Sequence, residues 1–275
     1  MSDTFGTRLH AALGRHGPLC VGIDPHASLL EAWGLPDTAY GLEQLAMTVV
    51  EALGDRVAML KPQSAFFERH GSAGIQVLER TVAAAQAAGA LVLLDVKRGD
   101  IGSTAAAYAD AYLGPSSPLA VDAVTVSPYL GFGSLRPFLD AAREHGRGVF
   151  VLALTSNPEG ASVQGAVVGA GTVAGAVLAA VAAENAGARP LGSIGAVVGA
   201  TIGSTDEDLD VNGPLLAPGF GAQGGTVEDL RRVFGDSVAR VIPTTSREVL
   251  GAGPDVGRLR AAAQRGAERV AGLLG

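Results

Sequence analysis

The stretch LVLLDVKRGDIGSTAAAY, residues 91–108, places four charged side chains directly after an apolar run. These are Asp95, Lys97, Arg98 and Asp100. Side chains two residues apart on a strand share a face, so Asp95 and Lys97 should point together, while Arg98 points toward the helix layer or solvent. A buried ion pair is costly unless it is well hydrogen-bonded. The pair is therefore either a structural salt bridge or part of a site.

A second cation favours the interpretation as part of a functional site over that as a structural salt bridge. Lys61 ends the preceding apolar run, VAMLK, and should reach the same carboxylate as Lys97. An alternating array of Lys61, Asp95 and Lys97, with Asp100 as a further candidate, would hold each charge through its neighbours. Arrays of this kind are typical of functional sites.

Eight short apolar runs can position these residues. They are continuous rather than alternating, which is typical of parallel strands covered on both faces, and amphipathic stretches separate most of them. This pattern predicts an α/β fold, a (β/α)₈ TIM barrel, formed by residues 1–275 as a single domain. The runs are PLCVGID, RVAMLKP, ALVLLDVK, AVTVSPY, GVFVLALTS, IGAVVGAT, PLLAPGF and ARVIPTTS.

In a barrel, the working residues cluster where strands end and the following loops begin. The strand interiors of this chain are nearly free of charge, and polar residues concentrate at the run ends, which predicts an active site at one mouth. These residues are Asp24, Lys61, the Asp95–Asp100 group, Ser127, Ser156, Thr201, Ser246 and Arg247.

Composition narrows the classes of function. The 275 residues are 48% hydrophobic and 17% charged, which excludes a disordered chain. A net charge of −7 argues against nucleic acid or an anionic membrane as the main partner. The single cysteine, Cys20, rules out an internal disulfide and a cysteine metal cluster, and it suits a reducing cytoplasm.

Two segments resemble targeting or membrane sequences and are interpreted otherwise. The N-terminal residues carry charges throughout, with Phe5, Leu9, Ala12 and Leu13 at helical spacing, which predicts an amphipathic helix rather than a signal peptide. The uncharged segment 161–183 is mostly Ala, Gly and Val, so we expect a loop and a buried packing helix rather than a membrane span.

The segment PGFGAQGG contains Gly219, Gly221 and Gly224 in the spacing of a dinucleotide fingerprint. The acidic residue that such a site needs after the next strand is missing, since that strand ends IPTTSR. Phosphate binding by backbone N–H groups at a helix N-terminus is the better interpretation, and a simple tight turn stays open. Barrels commonly bind phosphate after strands seven and eight, and Arg247 there suits a phosphate dianion.

The pattern Asp-x-Lys-x-x-Asp-Ile-x-x-Thr, formed by Asp95, Lys97, Asp100, Ile101 and Thr104, resembles the orotidine 5′-phosphate decarboxylase family. The segments GIDPH and LKPQSAFFERHG are similar to the subgroup found in mycobacteria and related bacteria. The resemblance covers essentially the whole chain. It implies decarboxylation of orotidine 5′-phosphate to uridine 5′-phosphate, the last step of de novo pyrimidine nucleotide synthesis, without a metal or cofactor.

The resemblance also assigns roles around the reacting carbon. Lys97 would stabilise a carbanion at C6 and donate its proton, and Asp95 would keep Lys97 protonated and lie near the departing carboxylate. Lys61 would bridge Asp95 and the ribose, and Asp24 would accept a hydrogen bond from a ribose hydroxyl. Ser156 would read the pyrimidine amide edge, with Ser127 as a weaker candidate.

The remaining roles concern the phosphate and a partner subunit. By resemblance, Gln223 and Arg247 bind the phosphate, and Ser246 is a further substrate-binding residue. The residues matching Asp100, Ile101 and Thr104 would reach into the site of a second copy. The resemblance therefore implies a homodimer with shared active sites.

Three rival functions stay open at this level. One is an aldolase that forms a Schiff base on Lys97 or Lys61, although Asp95 opposes the neutral lysine this requires. Another is a Mg²⁺-dependent sugar-phosphate enzyme that stabilises an enediolate. The third is a silent nucleotide-binding barrel. The histidines show no metal spacing, and His26 is interpreted as structural or as a loop contact rather than as catalytic. The structure of segment 157–189, which would form the lid over the pyrimidine, is not predicted by the motif.

Overall fold

The computed structural model describes residues 3–273. Its centre is a closed barrel of eight parallel strands, as predicted, and each strand coincides with one of the apolar runs, with only β3 extending one residue beyond its run, to Arg98. The strands are β1 (Cys20–Ile23), β2 (Met59–Pro62), β3 (Leu91–Arg98), β4 (Ala123–Val126), β5 (Gly148–Leu154), β6 (Ile194–Val198), β7 (Leu215–Pro218) and β8 (Val241–Thr245).

The strands pair in chain order, and β8 closes the barrel against β1 through the registers Cys20↔Thr244 and Val21↔Thr245. The order brings the ends of β1, β2 and β3 side by side. One irregularity interrupts the pairing: the register between β3 and β4 shifts between Leu94 and Arg98. That shift lies in the charged segment.

Helices cover the outside of the barrel and one of its ends. They are α1 (Phe5–His16), α2 (Ala27–Ala32), α3 (Ala39–Leu53), α4 (Ser64–Glu68), α5 (Gly71–Ala88), α6 (Gly102–Leu113), α7 (Arg136–Glu144), α8 (Ala161–Gln164), α9 (Val173–Glu184), α10 (Val227–Phe234), α11 (Arg247–Leu250) and α12 (Val256–Val270). A large apolar cluster fills the layer between strands and helices, which explains the continuous burial of the strands.

The N-terminal helix α1 packs against the barrel interior. Its apolar face, which includes Phe5 and Leu9, belongs to the cluster of inward-facing strand residues. Phe5 meets Phe150 of β5 edge to face, with ring centroids 6.1 Å apart. Gly148 starts β5 against the Phe5 ring, where a Cβ would collide with the aromatic carbons. The predicted amphipathic helix is confirmed, and its role is to close this end of the core.

The segment after β5 is a loop followed by a packing helix, as predicted. It contains α8 and a short hairpin of Val167–Val168 with Gly171–Thr172, and then α9, whose Ala174, Val177, Leu178 and Val181 are buried. Among residues 3–273, no helix combines the length and apolar character needed to cross a membrane.

Candidate active site

A cavity of about 320 Å³ opens at the ends of the strands where the predicted residues lie. Its lining comes from most strands of the barrel, and it includes Asp24, Lys61, Gln63, Asp95, Lys97, Thr125, Ser156, Gly219, Gln223, Thr244, Thr245 and Ser246. Of the residues predicted at one mouth, six line this cavity, namely Asp24, Lys61, Asp95, Lys97, Ser156 and Ser246, whereas Asp100, Ser127, Thr201 and Arg247 do not.

Asp95 is the centre of the cavity's hydrogen-bond network. Its Oδ2 accepts from Lys61 Nζ and Gln63 Nε2, each at 3.0 Å. Its Oδ1 accepts from Lys97 Nζ at 2.6 Å and from Thr125 Oγ1 at 2.8 Å. Each carboxylate oxygen thus receives one ammonium and one neutral donor, which is the satisfied state that a buried charge requires.

The opposite charges of Lys61, Asp95 and Lys97 stabilise one another's ionised forms. Burial alone would raise the pKa of Asp95, but the ammonium groups of Lys61 and Lys97 hold it well below its ordinary value. Burial alone would lower the pKa of Lys61, but the carboxylates of Asp95 and Asp24 raise it above its ordinary value. Lys61 and Asp95 are therefore ionised together although they are only 5% and 7% exposed.

Lys97 and Arg98 diverge, as the strand pattern predicts. The side chain of Lys97 is 47% exposed and lies at the cavity mouth, paired with Asp95. Arg98 pairs instead with Glu68 of α4 at 2.5 Å and stacks over Tyr108 of α6. Lys97 takes a positive φ of 46°, so the divergence comes from a distorted strand rather than from regular alternation.

Asp24 stands next to the array with an unused acceptor. Its Oδ1 lies 4.0 Å from Lys61 Nζ and has no hydrogen-bond partner within the described chain. The buried hydroxyls of Thr245 and Ser246, in the same cavity, also lack partners there. Buried polar atoms of this kind are normally satisfied, so the cavity is suited to a ligand with several hydroxyl or phosphate oxygens.

The end of β5 presents Ser156 to the cavity, together with Thr155 and Asn157. Gly199, at the end of β6, lies against Ser156, where a Cβ would come within 3.2 Å of the Ser156 nitrogen. Ser127 does not line the cavity, and its N–H donates to the Arg98 carbonyl. Of the two serines considered for the pyrimidine, the geometry favours Ser156.

The glycine segment forms a tight loop beside the cavity. Gly219, Gly221 and Gly224 all have positive φ, and the N–H groups of Gly221, Gly224 and Gly225 bond within the loop. The helix N-terminus considered for phosphate binding is that of α10, which begins directly after this loop. Thr226 and Asp229 form a capping box there: the Asp229 carboxylate accepts from the Thr226 N–H, and the Thr226 hydroxyl accepts from the Asp229 N–H.

Two of the three candidate phosphate-binding residues line the cavity, and the third lies outside its lining. Gln223 and Ser246 line the cavity. Arg247 is exposed at the start of α11 and lies outside the lining, although it directly follows Ser246. Among the described residues it forms no ion pair, so its guanidinium is not committed to another side chain.

Asp100, Ile101 and Thr104 lie outside this chain's cavity. The Oδ1 of Asp100 accepts from the N–H of Ile101 at 2.8 Å, and Ile101 is 62% exposed. The array within one chain is therefore Asp24, Lys61, Asp95 and Lys97, without Asp100.

The sequence reasoning missed two donors to Asp95. Gln63 follows β2 directly, and the rule that selected Asp24, a polar residue just after a strand, would have found it. Thr125 is the hydroxyl in the otherwise apolar strand Ala123–Val126, and that interruption was the available signal. Thr244 and Thr245, at the end of β8, line the cavity as well.

The side chains of the cavity do not favour metal coordination. Within residues 3–273, no group of three or more His, Cys, Asp and Glu side chains could share an ion. The Lys61 ammonium lies between the carboxylates of Asp24 and Asp95, in the place where a cation would otherwise bind. His26 packs on Phe66, with ring centroids 4.2 Å apart, in agreement with a structural role.

Comparisons with known proteins agree with this geometry. The model of the orotidine 5′-phosphate decarboxylase / HUMPS family matches residues 17–262. Orotidine 5′-phosphate decarboxylases of Salinispora arenicola and Streptomyces coelicolor are 66% and 63% identical over 265 residues, which is 96% of this chain and 95% of each relative.

Solved structures extend the similarity to three dimensions. A crystal structure from Streptomyces avermitilis, assigned as an orotidine 5′-phosphate decarboxylase, is 62% identical, with a TM-score of 0.96 over 99% of this chain and 96% of that one. The orotidine 5′-phosphate decarboxylase of Leishmania donovani is 30% identical, with a TM-score of 0.78 over 98% and 99% of the two chains. This chain therefore belongs to the orotidine 5′-phosphate decarboxylase / HUMPS family.

Proposed function

We propose that this chain decarboxylates orotidine 5′-phosphate to uridine 5′-phosphate, without metal or cofactor, as the last step of uridine 5′-phosphate synthesis. The observation that carries the proposal is the Lys61–Asp95–Lys97 array, in which both lysines donate to an Asp95 carboxylate whose two oxygens each receive two donors. The relatives at 63–66% identity are named for this reaction. The reaction is that of a carboxy-lyase.

The chemistry requires electrostatic stabilisation. Loss of carbon dioxide from C6 of orotate breaks the C6–carboxylate bond and leaves the electron pair on C6, where the ring cannot delocalise it. Lys97, half-exposed at the mouth, is the flexible cation that can face C6 and then transfer a proton to it. Asp95 holds that ammonium at 2.6 Å, which keeps it oriented before the substrate binds.

The other cavity residues suit the rest of the nucleotide. The unpartnered Oδ1 of Asp24 would accept a hydrogen bond from a ribose hydroxyl, and Lys61 would link the ribose to Asp95. Ser156 would bond to the pyrimidine amide edge. Gln223, Ser246 and Arg247 would bind the phosphate, whose binding energy can help to order the site.

The exposed residues after β3 support a shared site. Asp100, Ile101 and Thr104 lie outside their own cavity, and Ile101 exposes a large apolar side chain. In a homodimer these three residues would complete the partner's cavity. We further propose one domain over residues 1–275 and a cytoplasmic location, in keeping with the unpaired, buried Cys20.

A Schiff-base aldolase is disfavoured by the state of Lys61. An attacking amine must be neutral, whereas the carboxylates around Lys61 raise its pKa. The chain contains only these two lysines, Lys61 and Lys97, so borohydride trapping has few targets. Covalent capture of a carbonyl substrate on Lys97 would favour the aldolase and contradict the proposal.

The deciding experiment follows the loss of orotate absorbance when the purified protein is mixed with orotidine 5′-phosphate. We expect full turnover with and without excess EDTA, together with release of carbon dioxide. Activity that disappears with EDTA and returns with Mg²⁺ would indicate the enediolate type of chemistry. Binding of uridine 5′-phosphate without any turnover of the orotate nucleotide would indicate a silent barrel.

A further inference from the structure

Thr125 is 1% exposed and uses every bonding position of its hydroxyl. Its Oγ1 accepts from the main-chain N–H groups of Val96 and Lys97 at 3.1 and 3.0 Å, and it lies 2.8 Å from Asp95 Oδ1. Main-chain N–H groups only donate, so both acceptor positions are occupied and the hydroxyl proton is directed to Asp95. The direction of each bond is therefore determined.

These bonds lie where β3 leaves the regular ladder. Four steps along β3, from Leu94 to Arg98, are matched by two steps along β4, from Val124 to Val126. Within this bulge Lys97 adopts its positive φ, which is unfavourable for a residue other than glycine. In a regular ladder the N–H groups of residues 96 and 97 would find main-chain carbonyls, and here one side chain replaces them.

The same hydroxyl also restrains the carboxylate. Asp95 Oδ1 receives Thr125 and Lys97, while Oδ2 receives Lys61 and Gln63. Rotation of the carboxylate would break bonds on both oxygens. Thr125 thus fixes the backbone that carries Lys97 and, at the same time, the anion with which the Lys97 ammonium pairs.

We propose that Thr125 is a positioning residue for Lys97, acting through the Val96–Lys97 backbone and through Asp95. The inference rests on the proposed decarboxylase function and adds a residue to its machinery. A hydroxyl on a β-branched side chain suits this task, because the branch restricts rotation about χ1 and the hydroxyl can accept two bonds while donating one.

The test compares Thr125→Val, which keeps the shape and removes the hydroxyl, with Thr125→Ser, which keeps the hydroxyl. We expect Thr125→Val to lower kcat about 100-fold, with KM within about threefold of wild type, by analogy with the loss of one preorganised donor. Thr125→Ser should restore kcat to within about fivefold. Thr81→Val is the matched control, because its buried hydroxyl donates only to the Val77 carbonyl within α5.

A second readout reports on Lys97 itself. Because the chain has only two lysines, ¹³Cε-lysine labelling gives two side-chain resonances that Lys97→Arg assigns. Thr125→Val should shift or broaden the Lys97 resonance and leave that of Lys61 nearly unchanged, and Thr81→Val should move neither. If Thr125→Val does not fold, Thr125→Cys preserves most of the volume with a weaker donor and should show the same selective change at Lys97.

The outcomes separate this inference from the proposed function. An inactive wild-type protein would remove the decarboxylase proposal, and the lysine spectrum would still show whether Thr125 positions Lys97. If the wild type is active and Thr125→Val keeps kcat within about threefold, or leaves the Lys97 resonance in place, the role of Thr125 is refuted. Equal losses of kcat in the Val and Ser variants would also refute it.

Discussion

The Lys61 ammonium lies 3.0 Å from Asp95 Oδ2 at a depth where both side chains are almost completely buried. Such a pair is stable only because further donors complete the shell of the carboxylate, and Gln63 and Thr125 do so. Lys97 pairs with the same carboxylate but reaches the cavity mouth. One buried cation therefore fixes the anion, which leaves the exposed cation free to serve the reaction.

Lys97→Ala should abolish turnover while the protein still binds product. The variant lacks both the charge that stabilises the carbanion and the proton donor, so we expect kcat to fall by about 10⁵-fold or more. The affinity for uridine 5′-phosphate, measured by calorimetry, should change little, because the product carries no charge at C6. A variant with near-normal kcat would refute the role of Lys97, and Arg265→Ala, on the exposed face of α12, is the charge control.

Asp95→Asn should destabilise the fold in a pH-dependent manner. In the wild type the raised pKa of Lys61 makes its stabilisation fully present below the unfolded value of about 10.4, and lost as the pH rises through the higher folded value. The depressed pKa of Asp95 makes its stabilisation present above about 3.9, and lost as the pH falls through the lower folded value. Near neutral pH both contributions are complete.

In the variant, burial still lowers the pKa of Lys61, and mainly the Asp24 carboxylate at 4.0 Å counteracts this effect. The pKa of Lys61 should therefore fall below its unfolded value, so that the folded state loses this proton more easily than the unfolded chain. We expect a loss of about 3 kcal/mol in unfolding free energy near pH 7, and a smaller loss near pH 10. Chemical denaturation at both pH values measures this. A difference that widens toward pH 10 would contradict the assignment, and Glu43→Gln, at the surface pair with Arg80, should show little pH dependence.

The fold could be predicted because its signals are local. Eight apolar runs gave the eight strands, and the amphipathic face of α1, with Phe5 and Leu9, was evident from spacing. The opposite directions of Lys97 and Arg98 also followed from alternation, although the structure obtains them through a bulge. No local pattern predicts a bulge whose N–H groups bond a side chain on another strand.

The cavity was predicted in part, for the same reason. Asp24, Lys61 and Asp95 are polar residues that follow or end apolar runs, and each lines the cavity. Thr125 lies inside a strand, and its function depends on the register between β3 and β4, which the sequence does not display. The capping box of α10, formed by Thr226 and Asp229 three residues apart, follows a local sequence pattern but was not predicted.

Arg247→Ala should weaken substrate binding more than the chemical step. Arg247 is exposed and directly follows the cavity residue Ser246, and loss of a bidentate phosphate contact should raise KM about 10- to 100-fold. Steady-state kinetics with orotidine 5′-phosphate measure KM and kcat separately. An unchanged KM would remove Arg247 from the phosphate site. Added inorganic phosphate should inhibit the wild type more strongly than the variant.

The Cys20 thiol should be unreactive in the folded protein. Burial raises its pKa to about 12, so about one thiol in 10⁴ is ionised at pH 8. A disulfide reagent should label the native chain very slowly and the urea-unfolded chain at once. Rapid labelling with intact activity would show that the barrel interior opens more readily than its packing around Cys20 and Met59 indicates.

Mixing two inactive variants should restore activity if Asp100 serves the partner's cavity. Lys97→Ala damages the site of its own chain, and Asp100→Ala would damage the site of the other chain. In a mixed dimer both defects fall on one site, and the second site has both residues. Because half of randomly exchanged dimers are mixed, and each has one intact site, we expect about a quarter of wild-type activity.

The control is the double variant Lys97→Ala/Asp100→Ala mixed with wild type. In each mixed dimer of this control, one site lacks Lys97 and the other lacks Asp100, so neither site is intact. The only activity then comes from the wild-type dimers in the mixture. Were Asp100 to act within its own chain, the two single variants could never assemble an intact site. Mixtures would then stay inactive at every ratio, which would exclude the shared arrangement even though Ile101 and Thr104 are exposed beside Asp100.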